Sequence, residues 1–230
     1  MAVHEGHRER TRDRFREQGL DGFNDINALE LLLYYAIPRR DTNELAHALL
    51  ETFGSLEEVL NASEQELCAV PGIGVNAACL LRLVPQMMRK SAISMTRELK
   101  QIPNARAAGR YLIPRYMNER VESALLLSLD SQSRLIACDE VGRGVVNATE
   151  VSVRRIVELA LKRRASAVIL SHNHPDGDLR PSRDDDRMTA QVAQALEAVH
   201  IRLEDHIIVS GERYLSYRDT GGMIMLHTGL

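Results

Sequence analysis

The stretch from Ala167 to Asp186 constrains the fold most, because its residue types change in a fixed order along the chain. Residues 167–170 form a short apolar run with two β-branched members, which is typical of a buried strand. His172 and His174 follow where this strand opens into a loop. Side chains two positions apart on an extended backbone point the same way, so both imidazoles can face one point. The segment therefore predicts a strand that ends in two potential metal ligands.

Three consecutive carboxylates, residues 184–186, come after a loop that contains Gly and Pro. Two His, one carboxylate and an open position for water are typical of catalytic zinc, whereas structural zinc sites fill all four positions with protein ligands. A second interpretation stands beside this one. Ser182, followed three residues later by Asp185 and then by an apolar periodic run, is also typical of a capped helix N-terminus. Both can hold, because an Asp in a first helical turn can face a metal held by the preceding loop.

The spacing of these residues carries more information than their types. A His-x-His-Pro sequence, six further residues and Ser-x-x-Asp resemble the HxHPx6SxxD motif of the JAMM (MPN-plus) metallopeptidases. The surrounding segments LSHNHPDGDLRPSRDDD and LEDHIIVSG are similar to the RadC branch of that family, bacterial proteins long labelled as DNA repair factors. The resemblance implies one zinc ion per chain, held by His172, His174 and Asp185. It also implies an MPN/JAMM-type mixed sheet with flanking helices.

Catalysis at such a metal needs a base, which the resemblance assigns to Glu122. In the family a glutamate on an early strand, about fifty residues before the first His, takes the proton from the attacking water, and Glu122 heads the strand ESALLLSLD. The residues alone equally allow a solvated strand end, and Glu119 is a competing candidate. By its motif position Ser182 would hydrogen-bond the oxyanion of the tetrahedral intermediate. Asp205 is a candidate acceptor for the second N–H of one imidazole. The adjacent His206 either lines the site or, as we expect, is a hydrogen-bonded strand histidine.

Composition and charge limit the class of protein. With 230 residues and 44% hydrophobic content, the chain suits one or two globular domains. No apolar run approaches the roughly 20 residues of a membrane span, and the first residues lack the apolar core of a signal peptide, so we expect a cytoplasmic protein. Residues 1–90 hold 10 Lys and Arg against 14 Asp and Glu, a net charge of −4, and residues 91–230 hold 19 against 18. Neither part has the basic excess of a strong DNA binder.

The N-terminal part is predicted to be a small all-helical domain. A polar helix with internal charge pairing is predicted over about 5–18. Apolar segments predict helices over about 26–36, 42–53 and 56–60, and Ser63 with Glu66 predicts the cap of a further helix. This domain covers residues 1–90, and residues 91–102, which lack a sustained apolar stripe and precede a proline, are predicted to be a linker.

Residues 70–80 contain a possible DNA-binding turn. Gly72, Ile73 and Gly74 precede a helical run, which resembles a helix-hairpin-helix, where backbone amides and a helix N-terminus approach a DNA phosphate. The region from about 20 to 90 is similar to the helical N-terminal domain of RadC proteins. The alternative is that both glycines only let two helices pack around a tight turn. DNA binding through residues 70–80 would be weak, because the domain is acidic.

The C-terminal part, residues 103–230, is predicted to be an α/β (α+β) sheet domain. Strands are predicted over 121–129, 134–141, 145–151, 167–171 and 201–209, with a closing pair around 213–217 and 222–226. One helix is predicted to be capped by Ser152, and a second helix is predicted over 182–199.

The chain departs from the RadC pattern in two places. Many members read VHPRE where this chain has Ser152, Val153 and Arg155 in place of His, Pro and Glu. Asp176 stands where members have Ser, and adds a negative charge close to the predicted metal. Two functions follow as hypotheses. One is a zinc-dependent hydrolase of peptide or isopeptide bonds. The other is a DNA-associated repair or recombination accessory protein, in which the MPN-like domain is an interaction module or serves another hydrolysis.

Overall fold

The computed structural model describes residues 6–144 and 152–222, and the chain divides into two compact units, Met1–Met88 and Arg89–Leu230. The described part of the first unit is helical, as predicted. Its helices are α1 (His7–Gln18), α2 (Asp25–Ala36), α3 (Asn43–Phe53), α4 (Leu56–Asn61), α5 (Glu64–Ala69) and the first part of α6 (Val75–Met95). Fully buried leucines from four of these helices, together with Val59 of α4, form one apolar core: Leu29, Leu33, Leu49, Leu67 and Leu81.

The turn between α5 and α6 is built around two glycines in different settings. Gly72 has a φ of +93°, and a Cβ placed on it would lie 2.7 Å from Cδ2 of Leu45. Only glycine suits both conditions without strain. Gly74 has open space around it, and the side chain of Ile73 is buried in the core. At least Gly72 and Ile73 therefore have a packing role, which is the alternative interpretation of this motif.

The residues predicted to be a linker belong to the second unit. Residues 91–95 continue α6, and Ile102 is 1% exposed within a core cluster. The backbone N–H of Leu135 donates to the carbonyl of Lys100, and that of Ile102 donates to the carbonyl of Ser133. The segment predicted to be a linker therefore contains the end of α6 and, at residues 100–102, a stretch that pairs with a distant turn.

The second unit contains a mixed sheet whose strand order is β2-β1-β3-β4-β5. The strands are β1 (Ser123–Leu129), β2 (Leu135–Arg143), β3 (Ala167–Asn173), β4 (Arg202–Ser210) and β5 (Arg213–Ser216). Strand β1 is antiparallel to β2 and β3, β3 is parallel to β4, and β4 is antiparallel to β5. The helices are α7 (Ala105–Tyr116), α8 (Val153–Lys162) and α9 (Arg183–Glu197). This confirms the predicted fold class.

Helices cover both faces of the sheet. Even-numbered residues of β1 and β3, such as Leu126 and Leu170, pack with α8 and α9, while odd-numbered ones, such as Leu127 and Ile169, pack with α7. Helix α7 was missed by the sequence analysis. Its buried residues fall at helical spacing, and Asn104 caps it by accepting a hydrogen bond from the backbone N–H of Ala107, so both signals were present in the sequence.

Some predicted elements lie outside the described residues. These are the strand over 145–151 and most of the closing strand over 222–226. Among the described helices, none has the length and apolar character needed to cross a membrane. At the start of α8, Ser152 accepts a hydrogen bond from the backbone N–H of Arg155, so the departure from the VHPRE pattern supplies a helix cap.

Candidate metal centre

The candidate metal centre lies where β3 ends and α9 begins. His172 is the next-to-last residue of the buried strand β3 and is 7% exposed. His174 lies just beyond the strand and is half-buried. The backbone of His174 is fixed to β4, because its N–H donates to the carbonyl of Val209 and its carbonyl accepts from the hydroxyl of Ser210. The strand therefore positions the first imidazole, and the neighbouring strand positions the second.

The structure brings His172, His174 and Asp185 together. Nε2 of His172 lies 2.9 Å from Nε2 of His174 and 3.1 Å from Oδ1 of Asp185. Nε2 of His174 lies 3.7 Å from Oδ2 of Asp185. These three residues are a group of potential ligands whose donor atoms all lie within 4.8 Å of one another.

The opposite nitrogen of each imidazole faces a partner that fixes the ring. Nδ1 of His174 lies 2.7 Å from the carbonyl oxygen of Asp178. A carbonyl only accepts, so this nitrogen carries the proton and Nε2 of the neutral ring keeps its lone pair. Nδ1 of His172 lies 2.8 Å from Nε2 of His206, a ring that is fully buried and stacked on Tyr217.

Asp205 does not accept an imidazole N–H, so that prediction was wrong. Its carboxylate binds the hydroxyl of Ser216 and the backbone N–H groups of His206 and Arg218. The reason is strand alternation. His206 pairs with Leu170 and His172 pairs with Ile208 in the parallel register, so His206 and His172 share a sheet face, while Asp205 points to the other. The nitrogen nearest to Nδ1 of His172 is instead Nε2 of the adjacent residue, His206, at 2.8 Å.

Ser182 holds the carboxylate of Asp185. Its backbone N–H and its hydroxyl both donate to Oδ2 of Asp185, at 2.8 and 2.7 Å, and the N–H of Asp185 donates back to the hydroxyl oxygen. This is the predicted capping box of α9. The two hydrogen bonds occupy Oδ2 and leave Oδ1 directed at His172. The single hydroxyl proton of Ser182 is engaged here, so its oxyanion role stays a prediction.

Charge in the site depends on these contacts. Burial opposes ionisation of Asp185, but hydrogen bonds with His172 and His174 outweigh it and lower the pKa of the carboxyl. The hydrogen bond that the protonated His174 ring donates to Asp185 raises the pKa of His174, against the effect of burial. Burial, together with the nearby imidazoles, lowers the pKa of His206 well below the usual value, so this ring is neutral.

Glu122 immediately precedes β1, and its carboxyl interacts electrostatically with both histidines. Ala124 pairs with His172, so this end of β1 lies beside the end of β3. Burial raises the pKa of Glu122, which is half-buried. The two histidines, His172 and His174, lower this pKa, whereas the carboxylates of Asp185 and Asp176 raise it. A carboxylate with a raised pKa beside potential metal ligands suits a proton acceptor.

The competing candidate, Glu119, has a structural role. Its side chain is 6% exposed, and its carboxylate forms ion pairs with Arg89 and with Arg143, the latter at 2.8 Å. Both oxygens are thereby engaged away from the histidines. Glu122, in contrast, interacts electrostatically with the metal-ligand group.

The donor set fits a zinc ion. Both Nδ1 atoms face partners, so both Nε2 lone pairs and Oδ1 of Asp185 converge on one point, and lone pairs this close require a cation or a proton between them. Ligands about 2.1 Å from a tetrahedral ion lie about 3.4 Å apart. The observed separations of 2.9, 3.1 and 3.7 Å bracket that value.

The contacts that Thr189 and His206 make in the site were not predicted from the sequence. Thr189 is fully buried and lies 2.6 Å from Nδ1 of His206. It follows Asp185 by four residues, so it shares that helix face, which is a signal the sequence contained. His206 was predicted only as a hydrogen-bonded strand histidine. Its contact with His172 joins residues 34 apart and depends on strand register.

The possible DNA-binding residues lie in the first unit, as described above for Gly72, Ile73 and Gly74. No nucleic-acid contact follows from their packing, and DNA binding through residues 70–80 stays a prediction.

Comparisons with known proteins cover both units. Residues 102–222 match a family model described as RadC-like JAB domain, and residues 5–79 match one described as UPF0758 N-terminal. The chain is 37% identical over 213 residues to a UPF0758 protein of Bordetella avium, covering 93% of this chain and 95% of that one. It is 33% identical over 224 residues to a UPF0758 protein of Fusobacterium nucleatum, covering 94% and 97%. A UPF0758 protein of Stenotrophomonas maltophilia is 36% identical over 223 residues, covering 96% and 95%. Residues 102–222, which match the RadC-like JAB domain model, include every residue of the candidate metal centre.

Proposed function

We propose that this chain, which belongs to the UPF0758 family of RadC-like JAB-domain proteins, is a zinc-dependent hydrolase of the metallopeptidase type. The observation that carries the proposal is the convergence of His172, His174 and Asp185, whose donor atoms lie within 4.8 Å of one another, beside a glutamate with a raised pKa. Three protein ligands leave one tetrahedral position for water or substrate, which is the arrangement of catalytic zinc.

The protein residues divide the work. His172, His174 and Oδ1 of Asp185 would hold one zinc ion per chain. A bound zinc ion would supply a Lewis acid that acidifies a water molecule and polarises a carbonyl oxygen. Glu122 would accept a proton from the attacking water and deliver it to the leaving amine, which suits a carboxyl whose pKa is raised by burial.

The substrate class follows from this pairing of a metal site with one proton-transferring carboxylate. Attack on a peptide or isopeptide carbonyl requires activation of water, polarisation of the carbonyl and protonation of a poor leaving amine. Glu122 can serve the first and third steps in turn. Asp176, which stands beside the site and raises the pKa of Glu122, would keep this carboxyl nearer its protonated form than a Ser at that position.

Metal analysis of the purified full chain tests the site. We expect about one zinc per chain in the wild type and in Glu122→Gln, and loss of zinc in His174→Ala. His47→Ala is the matched control, because His47 is an exposed histidine on α3, outside the metal-ligand group. Equal zinc in all four proteins would refute the ligand assignment.

A panel of peptide and isopeptide substrates tests the chemistry. Glu122→Gln should lower the hydrolysis rate by about 10²- to 10⁴-fold while it keeps its zinc. Wild-type protein that carries zinc but hydrolyses nothing in the panel would refute the peptidase assignment and leave the metal site standing.

A further inference from the structure

The hydroxyl group of Thr189 interacts with the hydroxyl of Tyr217 and has two short contacts, which fix the direction of its proton. Its Oγ1 lies 2.5 Å from the backbone carbonyl oxygen of Asp185 and 2.6 Å from Nδ1 of His206. Two oxygens at that distance need a proton between them, and a carbonyl has none to give. The hydroxyl therefore donates to Asp185, and its oxygen is left to accept from His206.

His206 is consequently protonated on Nδ1. The ring is fully buried, stacks on Tyr217 at a centroid distance of 4.9 Å, and has no carboxylate among its hydrogen-bond partners. A buried imidazole without a carboxylate partner is neutral, so a proton on Nδ1 leaves a lone pair on Nε2.

This lone pair faces His172. Nε2 of His206 lies 2.8 Å from Nδ1 of His172, and two neutral nitrogens at that distance share one proton. Since Nε2 of His206 has none, the proton belongs to Nδ1 of His172. Nε2 is then the ring nitrogen of His172 that remains for the metal, which binds through a nitrogen without a proton.

We propose that Thr189 and His206 are positioning residues that fix the tautomer of His172, so that its Nε2 lone pair is presented to the metal. The chain of hydrogen bonds runs from the backbone carbonyl of Asp185, itself a proposed ligand, through Thr189 and His206 to His172. Three hydrogen bonds therefore connect the two ligand residues. The acceptor for the histidine N–H is a second histidine instead of the usual carboxylate or carbonyl. The inference rests on the proposed zinc site but concerns a proton position that exists without metal.

The test compares Thr189→Val, which removes the hydroxyl at nearly constant volume, with Thr189→Ser, which keeps it. Nitrogen-15 NMR of zinc-free full-length protein labelled at histidine reports which ring nitrogen of His172 is protonated. Zinc affinity is measured by competition with a chelator. We expect wild type and Thr189→Ser to show His172 protonated on Nδ1 and to bind zinc equally. Thr189→Val should show a mixture of tautomers and bind zinc about 10- to 100-fold more weakly.

A second pair of variants guards against a folding effect. In His206→Gln the amide oxygen can still accept from Nδ1 of His172, whereas in His206→Met no acceptor remains. Gln should retain more zinc affinity than Met. Unchanged tautomer and affinity in Thr189→Val would overturn the inference. A wild type that binds no zinc would refute the proposed function, while the NMR result would still decide the tautomer.

Discussion

Oδ1 of Asn173 accepts hydrogen bonds from both the backbone N–H and the hydroxyl of Ser123, at 2.8 and 3.1 Å. Its amide nitrogen donates to the carbonyl of Val121 at 3.1 Å. The residue between the two histidines thus holds the chain on both sides of Glu122. The pair of ligands and the proposed base are therefore positioned by one buried amide.

Asn173→Ala should lower the free energy of unfolding by about 1–3 kcal/mol, because it leaves the buried N–H and hydroxyl of Ser123 without their acceptor. Urea denaturation of the zinc-free protein measures this. Asn76→Ala, at an exposed position of α6, is the control and should change stability by less than about 0.5 kcal/mol. Equal stability of the two variants would contradict the positioning role.

Ser182→Ala should weaken zinc binding about 10- to 100-fold, because the hydroxyl orients the carboxylate of Asp185. It should also cost about 1 kcal/mol of stability through the lost helix cap. Ser63→Ala removes the same kind of capping box, from α5, and should cost a similar stability with no effect on zinc. Chelator competition and urea denaturation separate the two effects. A matching loss of zinc affinity in Ser63→Ala would show that the effect is only one of stability.

Zinc affinity should fall as the pH falls from about 8 to about 6, with protons released when zinc binds. The hydrogen bond that protonated His174 donates to Asp185 raises the pKa of His174 above its usual 6.5, so a proton competes for Nε2 even above that pH. Calorimetric titration in buffers of different ionisation enthalpy counts the released protons. An affinity that stays constant between pH 6 and 8, with no proton release, would contradict His174 as a ligand through this nitrogen.

Gly72→Ala should destabilise the first unit by about 1–3 kcal/mol, because Gly72 has a positive φ and an added Cβ would clash with Leu45. Gly74→Ala has open space at its Cβ and no positive φ, so the cost should stay below about 1 kcal/mol. Thermal denaturation compares the two. Similar costs would contradict the packing role of Gly72.

The sequence by itself determined the local parts of this protein. The ligand residues lie within fourteen positions of one another, at the end of one strand and in the first turn of the next helix, so spacing and periodicity were enough to nominate them. The capping boxes at Ser63 and Ser182 were also readable, because a cap is a contact over three residues. Short-range geometry follows from residue order alone.

Only the tertiary structure decided which distant groups complete the site. The parallel register of β3 and β4 puts His206 on the face of His172 and turns Asp205 away, and a shift of one residue would exchange them. Residues 100–102 likewise pair with the turn between β1 and β2 and with the start of β2. The physical reason is that strand register is fixed by burial of whole sheet faces, which no single segment encodes.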